Sequence, residues 1–356
     1  MIRSLQSLRF IFMMMIFMSH FAFNGIGAFD EGGDCGVSFF FILSGFVLSY
    51  AYSDSIERGN FHPNRLLRKQ LIKFYPLYIV CMLAYIAINI HTLHQSDILR
   101  IIPSVFLIQS WIPCPDYYFA GNATSWFLSD IIFFYLLFPM IYKRISTTSS
   151  KTLSVSIFFI VLIYFYAIFL IPEERINDIV YIHPVIRLIT LLIGILLFRI
   201  YKLILSSKKM NLICHLSFVQ KTILEMIPFC LLGLSLIIYY YVDIRIRCDS
   251  LFWVPISFVI LSLSLLNHRG GGITYILNNT VLQKGGALTL EIFLIHLLII
   301  NLIERVFLRL QINIPYMFLL SFCVVATLMF AVFVQKYFVC PITEYLNKED
   351  NKKKSY

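Results

Sequence analysis

Ten stretches of this chain are each apolar for about as long as a helix needs to cross a bilayer, roughly 20 residues, and little polar sequence separates them. They run near 8–29, 35–53, 71–90, 123–142, 152–171, 181–200, 222–241, 250–267, 287–308 and 314–336. The chain is 59% hydrophobic and only 13% charged, with a mean hydropathy of +0.82. Too few polar side chains remain to cover a water-facing core of that size, and a disordered chain lacks such apolar content altogether. The fold class that remains is all-α: a polytopic membrane helix bundle of about ten transmembrane helices, rich in the aromatic residues that line bilayer interfaces. The first run is too long for a cleaved signal and lacks its small-residue site. An eleventh candidate, Ile98 to Trp111, is short and holds Arg100 and Pro103, so it reads as a helix lying at the interface.

The distribution of charge tests that count independently, because Lys and Arg concentrate in cytoplasmic loops. With the N-terminus inside, 22 of the 29 Lys and Arg residues fall on the inner side and 7 on the outer side. The inner set includes Arg3, Arg9, Arg65, Arg68, Lys69, Arg269 and Lys354, whereas Asp30, Glu31, Asp34, Glu173, Glu174 and Asp178 fall in outer loops. Ten spans with both termini cytoplasmic fit this bias. The net charge of +10 then reflects topology and attraction to anionic lipid rather than a nucleic acid partner. Residues 1–340 read as one transmembrane domain and 341–356 as a short charged cytoplasmic tail, disordered from Asn347 onward. Eight cysteines show no metal-ligand spacing, so no metal site is expected. Cys35, Cys114 and Cys248 fall on the outer side, where one disulfide among them is possible and the pair is left open.

Ionisable residues inside spans are costly there and therefore informative. Arg9 and His20 are eleven residues apart, which at 100° per residue returns them to within about 20° of one helix face, with an axial separation of roughly 16 Å. Arg9 thus lies at the cytoplasmic entrance of the first span and His20 deep in the membrane. Their bland reading is a snorkelling arginine and a histidine bonded to a neighbouring span. Asp130 and Arg187 reach similar depth from the outer side, which with His20 suggests a polar cavity opening outward; a structural Asp–Arg pair between two spans is the simpler account. His296 approaches the midplane from the inner side, with Glu291 below it. Ser44-Gly45 reads as a close helix contact rather than a nucleophile, since no Gly-x-Ser-x-Gly elbow surrounds the serine. Arg65, Arg68 and Lys69 share one face at the inner surface, suited to lipid head groups or to the phosphates of a substrate.

Together these residues resemble the membrane acyltransferase-3 family over nearly the whole chain. The resemblance rests on Arg9 and His20, on Gly36-Val37 leading into Phe39-Phe40-Phe41-Ile42-Leu43-Ser44-Gly45-Phe46, and on Arg65 and Arg68 before Tyr75-Pro76-Leu77-Tyr78. Ser125-Trp126-Phe127-Leu128, Pro184-Val185-Ile186-Arg187-Leu188 and Ile292-Phe293-Leu294-Ile295-His296 match later segments. It implies transfer of an acyl group, usually acetyl, from cytoplasmic acyl-CoA to a hydroxyl of an envelope carbohydrate such as O-antigen, capsule or another surface glycan. The chain is similar to the stand-alone type, without an extracytoplasmic hydrolase-like domain, in the cytoplasmic (inner) membrane. No permanently bound cofactor is implied; acetyl-CoA is the donor substrate, and a glycan or lipid-linked saccharide the acceptor. The resemblance makes His20 catalytic, with Arg9 supporting donor binding or catalysis. Many relatives have an aspartate where this chain has Ser38, so here the Ser38 hydroxyl serves, or Asp34 or Asp30 substitutes. Asp130 stands where glutamate is common.

In that scheme His20 is a general base on the acceptor hydroxyl, or a transient acyl carrier. Arg65, Arg68 and Lys69 hold the CoA phosphates, Trp126 offers a stacking face to a sugar, and Asp130, Arg187, Asp34, Ser38 and His296 support the acceptor side. The alternative from another class is a transporter or flippase for a lipid-linked sugar or anion, with the same charges lining a path. Neither an inverted repeat nor paired broken spans argue for it.

Overall fold

A computed structural model describes residues 2–21, 29–91, 94–267, 270–311 and 315–353. Among these the regular structure is all helix, with no strand. The longer helices are α1 (Arg3–Ser19), α2 (Asp30–Glu57), α3 (Pro63–Asn89), α4 (Gln95–Val105), α5 (Trp126–Thr147), α6 (Ser150–Leu170) and α7 (Pro184–Leu205). They continue as α8 (Phe218–Ile238), α9 (Trp253–Leu265), α10 (Thr280–Ala287), α11 (Thr289–Leu310) and α12 (Tyr316–Val334). Local sequence sets several starts. Pro63 and Pro184 occupy first-turn positions that need no amide proton. Ser149 accepts from Thr152 N at 3.1 Å, and Ser217 and Gln220 form a reciprocal capping box.

Among the described residues seven helices are long and apolar enough to cross a membrane, or eight if α10 and α11, which meet at 69°, count as one broken span. The other apolar runs are helical but shorter: α1 has 17 described residues, and the Ser250–Leu265 stretch also falls below span length. The first run continues through 22–28, outside the described residues, as do Arg269 and Lys354 from the charge count. The expected interfacial segment at 98–111 is broken, with α4 ending at Val105 and a separate turn at Gln109–Trp111.

One expectation is overturned at the C-terminus. The segment read as a disordered tail is helical through Lys353, because α12 runs on through a π-helical turn at Gln335–Val339 into a further helix, Cys340–Lys353. Adding a residue to an existing helix costs far less than nucleating one. The disulfide left open among the three cysteines is not formed. Cys35, Cys114 and Cys248 are all free, with Cys35 and Cys248 buried; the Cys248 thiol is turned toward the Arg245 carbonyl, 3.9 Å away.

Burial ranks the helices by depth. In α2 67% of the apolar window is buried inside the protein, against 11% in α6, so α2 is central and α6 peripheral. The α2–α7 seam is closely packed on both sides. A Cβ on Gly45 would stand 2.3 Å from the Leu191 carbonyl oxygen, and one on Gly194 would meet the Ile42 carbonyl oxygen at 2.1 Å. Both obstacles are backbone, which cannot swing aside, so the two glycines set how closely the helices approach. Ser44 fits the same reading, since its hydroxyl donates to Phe40 O at 2.7 Å. Gly45→Ala is expected to lower the thermal midpoint in detergent by an amount equivalent to about 1–3 kcal/mol. An unchanged midpoint would show that the seam is looser than this.

Candidate active site

The C-terminal end of α1 carries His20 toward the end of the bundle that the charge distribution assigns to the outside; outer and inner carry that sense below. There its ring borders a cavity of about 480 Å³, whose wall includes Ser19, Tyr85, Asn122, Thr124, Trp126, Phe127, Tyr181, Phe293 and Asn301. His20 is the ionisable group among neutral amides, hydroxyls and aromatic faces. Its Nδ1 lies 2.9 Å from Ile16 O and 3.2 Å from Nε2 of His296, which is fully buried on α11. The two imidazoles, distant in sequence, thus meet directly. Asn122 donates to Leu294 O at 2.8 Å, tying the loop before α5 to the same helix.

One helix face carries Arg9 and His20 toward one row of cavities. A space of about 290 Å³ on the inner side is lined by Arg9, Ser44, Lys73 and Tyr135. A narrow one of about 80 Å³ touches Arg9, Ile16, Phe127 and Phe293. The outer cavity shares Ile16, Phe127 and Phe293 with it, so Phe127 borders all three. Glu291 lies within electrostatic reach of both Arg9 and Lys73. At the inner surface a further cavity of about 430 Å³ is lined by Asn60, His62, Arg65, Lys69 and Asn347. Arg65 and Lys69 therefore face one space as expected, whereas Arg68 does not line it.

The acceptor-side residues divide differently from their expected arrangement. Trp126 lines the outer cavity, its ring 5.2 Å from that of Tyr181. Arg187 and Asp130 do not border it; both are fully buried. Arg187 pairs not with Asp130 but with Asp249, at 2.5 Å, and its guanidinium lies 4.5 Å from the Tyr181 ring centre while its Nε donates to Tyr181 O at 2.6 Å. Asp249 also accepts from Ser38 Oγ at 2.9 Å. Ser38 thus meets a carboxylate brought from a distant part of the chain, Asp249. Asp34 accepts from the Tyr239 hydroxyl at 2.6 Å. Both carboxyl oxygens of Asp130 lack a hydrogen-bond partner among the described residues, with Ser110 nearby.

Asp249 escaped the sequence reading because it follows Arg245 and Arg247 just before an apolar run and looks like an outer-loop charge. Only the docking of α9 beside α2 and α7 carries it inside. The one advance signal was Arg187 itself, a buried cation that needs a counter-charge. Among the described residues no group of three His, Cys, Asp or Glu side chains is arranged to hold a metal ion.

The site is thus a helical bundle in which His20 borders one of three neighbouring cavities that share lining residues. The acyltransferase-3 family model, described as an acyltransferase domain, matches residues 2–335, and the chain belongs to that family. Among curated proteins it is similar to acyltransferase MdmB of Streptomyces mycarofaciens, with 34% identity over 119 residues. That match spans 32% of this chain and 29% of the relative. No solved structure matches it.

Proposed function

We propose that the protein is an integral membrane O-acyltransferase that moves an acyl group, in the first instance acetyl, from cytoplasmic acyl-CoA to a hydroxyl of an envelope carbohydrate. The observation that carries this reading is the row of cavities from Arg9 to His20 within a chain of the acyltransferase-3 family. In this reading ten spans place both termini in the cytoplasm, and the Arg65–Lys69 mouth opens inward. Arg65 and Lys69 neutralise the CoA phosphates, and the acyl-bearing arm runs past Arg9 toward His20. His20 takes the proton of the acceptor hydroxyl as that oxygen attacks the thioester carbonyl; the thiolate leaves and is protonated. Neutral amides, hydroxyls and the faces of Trp126 and Tyr181 suit a polyhydroxylated acceptor, held on the outer side.

The test uses membranes carrying the native chain or none, given labelled acetyl-CoA. Base-labile label in the glycan or lipid-linked saccharide fraction, only with the native chain, is the expected result. Label that never becomes ester-linked, with saccharide crossing the membrane instead, would replace this reading by the transporter. A second expectation follows from the inner mouth. Joint replacement of Arg65 and Lys69 by Gln is expected to raise KM for acetyl-CoA by about 10-fold or more and flatten its salt dependence, with kcat little changed. An unaltered KM would move donor binding elsewhere.

A further inference from the structure

The pairing of His20 with His296 determines more than their proximity, because each nitrogen's neighbours limit where protons sit. Nδ1 of His296 faces two carbonyl oxygens of its own helix, Ile292 O at 3.1 Å and Phe293 O at 2.9 Å. A carbonyl can only accept, so Nδ1 of His296 carries a hydrogen, and in the neutral ring Nε2 is then a bare acceptor. That acceptor stands 3.2 Å from Nδ1 of His20, which also faces Ile16 O at 2.9 Å. Two acceptors around one nitrogen require a donor between them. Nδ1 of His20 is therefore the protonated nitrogen, in a three-centre bond, and Nε2 is left bare. Nε2 has no protein partner among the described residues, and the ring borders the outer cavity while His296 is buried behind it.

From this we infer that His296 is a positioning residue that, with the Ile16 carbonyl, holds His20 in the tautomer whose basic Nε2 faces the acceptor. The inference rests on the proposed role of His20 as general base and adds how that base is kept ready. As Nε2 takes the hydroxyl proton, the imidazolium keeps its Nδ1 hydrogen between Ile16 O and His296 Nε2. The bond to His296 thereby becomes charge-assisted and stronger during the reaction. An orienting acceptor behind a catalytic imidazole is a general device, and a second neutral imidazole performs it here without placing a carboxylate in the membrane.

Full-length protein labelled with ¹⁵N-histidine in detergent reports the tautomer directly, and a His20→Ala spectrum assigns the His20 signals. The expected spectrum has hydrogen on Nδ1 of His20 in the native chain and in His296→Gln, whose amide oxygen can replace the imidazole acceptor. In His296→Phe only the Ile16 carbonyl still accepts from Nδ1, so a measurable fraction of the hydrogen is expected to move to Nε2. Acetyl transfer from labelled acetyl-CoA is expected to fall about 10- to 100-fold in kcat with His296→Phe, with KM for acetyl-CoA within about twofold, and His296→Gln to recover most of the loss. A packing role predicts the reverse order, with Phe tolerated better than Gln. That order, or hydrogen on Nε2 of His20 in the native chain, would overturn the inference. If His296→Phe does not accumulate, the native and His296→Gln spectra decide. If no acetyl transfer is detected at all, the spectra still test the tautomer, so failure of the acetyl reading is told apart from failure of this one.

Discussion

Replacing His20 by alanine is expected to leave a folded protein whose acyl transfer falls by about 10²- to 10⁴-fold, the range a positioned general base contributes. The ring borders open cavity rather than filling a packed core, so its removal costs little burial. Ile16 O lies within α1, and what is left unpaired is the neutral Nε2 of His296. Thermal stability in detergent should therefore stay near native while ester-linked acetyl disappears at matched protein levels. Transfer that survives the substitution would remove His20 from the reaction, whatever else the cavity does.

The largest effect on stability is expected from Asp249. It and Arg187 are both fully buried, and one carboxylate oxygen serves both the guanidinium and the Ser38 hydroxyl. Asp249→Ala leaves the arginine charge without its partner inside the bundle and strands a donor on α2. Breaking a buried pair from one side typically costs about 3–5 kcal/mol, enough to threaten accumulation. The paired replacement of Arg187 by Met and Asp249 by Leu removes both charges and is expected to recover most of that loss. Thermal unfolding of the three proteins in one detergent would measure it. A double variant no better than Asp249→Ala would mean that the pair is not the source of the stability. Because Arg187 also holds Tyr181, part of the outer wall, the rescued protein is expected to transfer acyl groups more slowly than native.

Seven of the ten expected spans were legible as long apolar helices because apolar length is a local matter, and the shared face of Arg9 and His20 because helical periodicity is local too. The glycine seam was half visible: Ser44-Gly45 announced a close contact, but its partner Gly194 lies on a distant helix. What local pattern could not reveal were pairings made by helix packing. Asp249 meets Ser38 across 211 residues, and His296 meets His20 across 276. Asp130 and Arg187 are fully buried in the bundle, yet neither lines the cavity beside His20. The C-terminal segment was misread because its charge and polarity resemble a tail, while its backbone continues a helix already formed.

The ring of Phe127 has a consequence beyond acyl chemistry. It stacks on Phe41, with centres 4.4 Å apart and planes inclined by 17°, and meets Phe293 at 5.5 Å. Phe127 borders all three cavities, so on the proposed reading any acyl group moving from Arg9 to His20 would pass this aromatic ring. A cell that lives by its proton gradient cannot tolerate an open conduit, least of all one ending in a titratable imidazole. An aromatic collar offers an ion no replacement for its hydration shell, and the fixed cation at Arg9 repels hydronium and metal cations from the inner side. An acetyl group carries no charge and sheds little water in passing. On the proposed reading, a ring that let the acyl group past would also insulate the membrane, keeping the transfer electrically silent.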